Sequence, residues 1–234
     1  MDPWMTHQMM NDISINVATS YSVSTQIRSG ADPNARVRGF DGSIITPLGI
    51  SASIGNYSVT ETLLNHGADA TDIQSGPLNQ AVIGGNTDVV DLLISRGANI
   101  NMRAGENDYT PLVTAANQPN DDWRMVGHLI SKGADPNRAA RNGLTPLYVA
   151  AQHGNLIVME FLIDSGADVN SKTTRGNTPL INAADEGQSR AVEYLLERGA
   201  EINWRNSKGM SALDHAVKGG YFGVANILRE AGAY

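Results

Sequence analysis

One complete structural unit is written in Asn142-Gly143-Leu144-Thr145-Pro146-Leu147-Tyr148-Val149-Ala150-Ala151, then Leu156-Ile157-Val158-Met159-Glu160-Phe161-Leu162-Ile163, and last Gly166-Ala167-Asp168-Val169-Asn170. The Thr145 hydroxyl suits the free backbone N–H groups at a helix start, and Pro146 is welcome in a first turn. The helix that follows stops near Gly154. A second helix, Leu156 to Ile163, carries its apolar residues on a broad stripe. Gly166 ends it, because a left-handed residue after a helix costs glycine nothing. Small Ala150 and Ala151 let neighbouring helices approach closely, as do Ala115-Ala116 and Ala183-Ala184. The polar stretch from Val169 to Asn177 reads as a turn or hairpin that projects from the helices.

The unit recurs. Gly-Ala dipeptides begin at Gly30, Gly67, Gly97, Gly133, Gly166, Gly199 and Gly232, at intervals of 37, 30, 36, 33, 33 and 33 residues. In step with them run Thr46-Pro47-Leu48, Gly76-Pro77-Leu78, Thr110-Pro111-Leu112, Thr145-Pro146-Leu147, Thr178-Pro179-Leu180 and Ser211-Ala212-Leu213. Two short helices cannot bury an apolar face alone, so such a period predicts a stacked array with a continuous core. Arrays of this kind bind other molecules far more often than they catalyse.

The phrases Gly133-Ala134-Asp135-Pro136-Asn137, Asn142-Gly143-Leu144-Thr145-Pro146-Leu147 and Gly166-Ala167-Asp168-Val169-Asn170 resemble ankyrin repeats, over about residues 20–234. The resemblance implies an all-α repeat solenoid: a short β-hairpin finger and two antiparallel helices per repeat. Fingers and first helices would together form a concave protein-binding surface on a curved body. The expected division is one domain over 1–234, with a degenerate N-terminal cap at 1–34 and repeats at 35–69, 70–99, 100–135, 136–168, 169–201 and 202–234. Met5, Met9, Met10 and Ile13 would form the first helix of the cap, Val23 and Ile27 the second. The family's histidine after Thr-Pro-Leu is absent, its slot holding Gly49, Asn79, Val113, Tyr148, Ile181 and Asp214. The hydrogen bonds that histidine makes around the helix start must then come from elsewhere. Carried onto this chain, the family's binding surface implies finger residues Tyr109, Arg141, Asn142, Arg175, Asn177 and Lys208. It adds Asn117, Gln118, Gln152, His153, Asp185 and Glu186 at the ends of first helices.

Length variation marks the unusual places. From the Leu of each helix start to the next Gly-Ala glycine the count is 19 residues in five units, but 21 from Leu112 to Gly133. The surplus lies in Asn117-Gln118-Pro119-Asn120-Asp121-Asp122-Trp123, where Asp121-Asp122 are placed to cap the second helix. Trp123 is expected either as an exposed interface anchor or as a side chain folded over the stack. The fingers vary too, from 8 positions between Asp69 and Pro77 to 15 between Asp32 and Pro47. Loop drift and partner contact both account for that.

Charge is unevenly spread. The chain carries −7, yet Arg138, Arg141, Lys172, Arg175, Arg205 and Lys208 give the last three fingers +6 and leave −13 on the rest. Side by side, these fingers would form either a basic stripe or merely a solvated edge. A stripe favours a protein partner presenting an acidic patch, met by charge-assisted contacts. Nucleic acid is disfavoured by the acidic total and the lack of an aromatic ladder. Trp204, Tyr109, Leu144 and Met210 are candidate apolar anchors, with finger-to-finger packing the other reading of Trp204.

The remaining chemistry is negative. The five histidines, His7, His66, His128, His153 and His215, show no ligand spacing, so no metal is expected. No phosphate-binding loop or nucleophile elbow is present, and Asp121-Asp122 and Asp185-Glu186 are neighbours that point apart. No enzymatic activity and no cofactor are expected. No stretch reaches the roughly 20 apolar residues of a membrane span. The N-terminus does not resemble a secretory leader, and cysteine is absent. An intracellular, cytoplasmic monomer is expected, although the helix Tyr221 to Leu228 is short of polar residues for an outer cap and leaves self-association open. The leading expectation is a non-catalytic protein-binding scaffold. The alternatives are an inhibitor or immunity protein blocking a partner enzyme or toxin, an effector or adaptor recruiting a cellular factor, and a self-associating structural module.

Overall fold

The computed structural model describes residues 2–14, 18–39, 42–118 and 123–234. Among them, helices take about half of the chain. The chain falls into two compact units, Met1–Pro111 and Leu112–Tyr234.

In the first unit α1 (Pro3–Ser14), α3 (Pro47–Ile54) and α5 (Pro77–Ile83) pack in one row, and α2 (Ser20–Arg28), α4 (Tyr57–Asn65) and α6 (Thr87–Ser95) in a second. Of the residues expected to pack in this N-terminal pair, Met9, Met10 and Ile13 of α1 and Val23 of α2 are buried, and Met5 and Ile27 are half-buried. Strands β1 (Val37–Arg38) and β2 (Ile44–Ile45) pair antiparallel, Val37 opposite Ile45. In the following finger the buried Asp72 carboxylate meets the Arg36 guanidinium at 3.0 Å and accepts from the Ser75 hydroxyl at 2.8 Å.

The second unit repeats the arrangement. First helices α9 (Pro146–His153), α11 (Pro179–Asp185) and α13 (Ala212–Lys218) form one row. Second helices α8 (Trp123–Ser131), α10 (Leu156–Asp164), α12 (Ser189–Glu197) and α14 (Phe222–Glu230) form the other. The short helix α7 (Pro111–Ala116) precedes them. Residues 119–122, with the expected Asp121-Asp122 cap, lie outside the described residues. Leu147, Leu162, Leu180 and Leu195, one from each of α9, α10, α11 and α12, are almost fully buried.

The sequence phrases have direct physical readings. The hydroxyls of Thr46, Thr145, Thr178 and Ser211 accept the backbone N–H of Gly49, Tyr148, Ile181 and Asp214 at 3.0–3.3 Å. In each Gly-Ala pair the glycine is left-handed, as Gly166 is at φ +91°. The next alanine then donates back into the helix, Ala167 N–H to the Leu162 carbonyl at 2.9 Å. This is the Schellman ending, and the buried alanine seals it.

The fingers turn back on themselves as expected, with little regular β-structure. Among the described residues only the first carries a two-residue ladder, and Ala104 and Tyr109 form a lone bridge. In the second unit each finger closes as a tight turn: Ala140 N–H donates to Leu144 O, Thr173 to Asn177 and Asn206 to Met210 at 2.9–3.0 Å, while Gly143, Gly176 and Gly209 N–H donate back to the Ala140, Thr173 and Asn206 carbonyls.

Candidate functional site

Two ladders of hydrogen bonds set the second unit's fingers in line. Thr174 N–H donates to the Asn142 carbonyl and Ser207 N–H to the Arg175 carbonyl, both at 3.0 Å. The approach is so close at Gly143 (φ +80°) that an added Cβ would lie 2.8 Å from the Thr173 Cα. At the other end of each finger an asparagine bridges consecutive repeats. Asn137 donates to Gly166 O and accepts from Asp168 N–H, both at 2.8 Å. Asn170 does the same with Gly199 O at 3.2 Å and Glu201 N–H at 2.8 Å. Asn34 plays this part in the first unit, toward Gly67 and Asp69. The motif Gly-Ala-Asp-x-Asn was visible in the sequence, but only the pairing shows why the asparagine stands there.

The cations on these fingers have different fates. Lys172 lies 3.3 Å above the Trp204 ring and 3.7 Å from the Glu201 carboxylate. Arg205 binds the Asp214 carboxylate and the Gly209 carbonyl, both at 2.8 Å. Arg138 and Arg141 are exposed and have partners of their own. Arg175 and Lys208 instead face a groove of about 230 Å³, joined there by Lys218 from the end of α13. Asn177, Asp185 and Met210 share its wall.

The groove's floor is a chain of polar contacts. Asn206, only 8% exposed, donates to Asn177 Oδ1 at 2.7 Å and lies 3.1 Å from His215 Nε2. Its own oxygen accepts the Lys208 and Met210 N–H groups, at 2.9 and 3.1 Å. His215 Nδ1 meets Asp185 Oδ1 at 2.8 Å. Deeper in, burial pushes the Tyr148 phenol above its usual 10.0, against the opposing pull of its bond to Asn177.

The other sequence candidates scatter. Asn117 meets His153 at 3.2 Å, and Gln118 donates to the Thr114 carbonyl beside them. Half-buried Gln152 gives its carbonyl to Gln188, and Glu186 is exposed just past α11. Leu144 is half-buried at the base of its finger. Tyr109 belongs to the first unit, where its carbonyl accepts from Asn79 at 2.9 Å. That bond replaces part of what the missing histidine would supply. Trp204 donates to the Gly176 carbonyl at 2.8 Å, the finger-to-finger packing reading. Trp123 is 38% exposed and stacks on Phe161 at 5.2 Å and 12°. It therefore lies with the second helices, away from the fingers. Sequence reasoning missed Asn206, Ser207, His215 and Lys218 in the groove. Lys218 could have been found by register, since it occupies in α13 the position of Asp185 in α11.

Among the described residues no helix is long and apolar enough to cross a membrane, and no three or more His, Cys, Asp or Glu side chains gather as metal ligands. The family described as ankyrin repeats (3 copies) matches residues 15–104, 78–173, 112–206 and 166–234. The chain is 34% identical over 114 residues to the ankyrin repeat and KH domain-containing protein mask-1 of Caenorhabditis elegans, covering 48% of this chain and 4% of that protein. It is 33% identical over 117 residues to alpha-latrocrustotoxin-Lt1a of Latrodectus tredecimguttatus, covering 48% and 8%. The ankyrin repeat, SAM and basic leucine zipper domain-containing protein 1 of Bos taurus is 34% identical over 107 residues, covering 43% and 22%. The chain thus spans less than a quarter of the length of each of these curated relatives. Ankyrin repeats generally mediate protein–protein interaction and are not typically enzymes. With glycine-ended helix pairs, stacked fingers and matches running from residue 15 to 234, this chain belongs to the ankyrin repeat family.

Proposed function

We propose that the chain is a non-catalytic protein-binding scaffold whose second unit holds an acidic region of a protein partner against its last three fingers and the ends of the adjoining first helices. The observation that carries this reading is the backbone ladder from Asn142 through Thr174 and from Arg175 through Ser207. It holds Arg141, Arg175 and Lys208 on successive exposed tips of an otherwise acidic chain. Charges so placed steer association and select the partner more than they add affinity. Tyr109 and Trp123 are left out, because one lies in the first unit and the other stacks among second helices.

The test compares the native chain with Arg141→Glu/Arg175→Glu/Lys208→Glu in affinity capture and association kinetics. The triple variant should lose acidic partners and slow association by about tenfold at low salt, with an unchanged melting temperature, since exposed charges contribute under about 1 kcal/mol each. An unaltered association rate would refute the reading. An inhibitor and an adaptor would both use this surface, and an activity assay on the captured protein separates them.

A further inference from the structure

The groove between the fifth and sixth fingers carries more than a generally basic face. Three cations from three separate segments, Arg175, Lys208 and Lys218, converge on one cavity of about 230 Å³. None of them is ion-paired with a carboxylate among the described residues, in contrast to Lys172 and Arg205 close by. The lining holds one acid, Asp185, and its carboxylate is already engaged by His215. With His215 neutral, the lining therefore keeps a net charge of +2.

The site is built, not just charged. Buried Asn206 ties Asn177 on one finger, Lys208 and Met210 on the next, and His215 on α13 into one hydrogen-bonded floor. Such a floor spares a ligand much of the ordering cost of binding. We propose that this groove is the receptor for an acidic peptide segment with two neighbouring side-chain carboxylates. The inference rests on the protein-binding reading above and names the partner feature that the surface selects.

The division of labour follows from side-chain chemistry. The planar Arg175 guanidinium grips one carboxylate with two parallel bonds, while Lys208 and Lys218 act as point charges on the second. Met210 offers an apolar contact for the aliphatic stem of a glutamate. A nucleic acid is the poorer fit, because the lining holds no aromatic platform for a base. Asp185 limits the site: its charge opposes any anion that enters, so removing it should improve binding.

The test is fluorescence anisotropy of the full chain with a fluorescein-labelled peptide carrying two adjacent glutamates in a glycine-serine background. Matched peptides carry two glutamines or one phosphoserine, and a single-stranded oligonucleotide completes the set. The glutamate peptide should bind about tenfold or more tighter than the glutamine peptide, a difference of about 1.4 kcal/mol. Arg175→Glu/Lys208→Glu and, separately, Lys218→Glu should each abolish that preference without changing the melting temperature, while Asp185→Asn should strengthen binding by about threefold. In 15N-edited spectra the side-chain amides of Asn177 and Asn206 should shift on titration. Equal binding of the glutamate and glutamine peptides, indifference to the reversals, or tighter binding of the phosphoserine peptide or oligonucleotide would each overturn the proposal. If Arg141→Glu lowers partner capture while Arg175→Glu/Lys208→Glu leaves it intact, the groove assignment falls and the broader finger-face reading stands.

Discussion

Asp214 occupies one of the slots where the family's histidine is missing, and it makes a different cap. The Ser211 backbone N–H donates to its carboxylate at 2.9 Å, the Ser211 hydroxyl does likewise, and Arg205 lies at 2.8 Å. The Ser211 N–H first, then its hydroxyl and Arg205, hold the acid below its ordinary 3.8 despite partial burial. A depressed folded-state value gives stability that is present above the unfolded-state value and lost as pH falls through the folded one. Melting temperature should therefore drop below about pH 4, and Asp214→Asn should flatten that part of the curve. An acid limb unchanged by the substitution would assign it to other carboxylates. Trp123 belongs to the same scale. Its stack on Phe161 predicts that Trp123→Ala destabilises by about 2 kcal/mol, lowering melting by about 4–8 °C, with binding to an acidic peptide unchanged. Preserved melting with lost affinity would make Trp123 the anchor that its exposed edge also allows.

At the scale of elements, the recurring phrases carried most of the fold. Thr-Pro-Leu and Gly-Ala are legible because caps act within four or five residues, and the structure returns them as hydroxyl caps and Schellman endings. The bridging asparagines were not legible in role, since their partners lie 29–35 residues away in the next repeat. The candidate site was readable as a set of charges but not as a geometry. Nothing in the spacing of Lys172, Arg175, Arg205 and Lys208 says that two are spent on Trp204 and Asp214 while two line a groove. Lys218 and His215 stayed hidden because they lie on a helix and not on the fingers where the charges were counted. The asparagine bridge gives a prediction of its own. Asn170→Ala leaves Gly199 O and Glu201 N–H to water and should cost about 1 kcal/mol in denaturant unfolding. A neutral effect would show that the ladder is a geometric by-product of the stack.

For the molecule as a whole, the balance of charge matters more than its total. A net −7 keeps an acidic partner at a distance from most of the surface, while the last three fingers invite it. Phe222, at 68% exposure, is the large apolar side chain that a self-association reading would need. We expect a monomer in sedimentation, and a dimer that dissociates on Phe222→Glu would point to that face instead. The central claim is that recognition uses the fingers and first-helix ends of the second unit. Hydrogen–deuterium exchange of the full chain, free and saturated with a captured partner, tests it most directly. The account predicts new protection in residues 138–144, 171–177 and 204–210 and at the end of α13, with α10, α12 and α14 unchanged. Protection confined to those second helices, with the fingers exchanging as in the free chain, would contradict it.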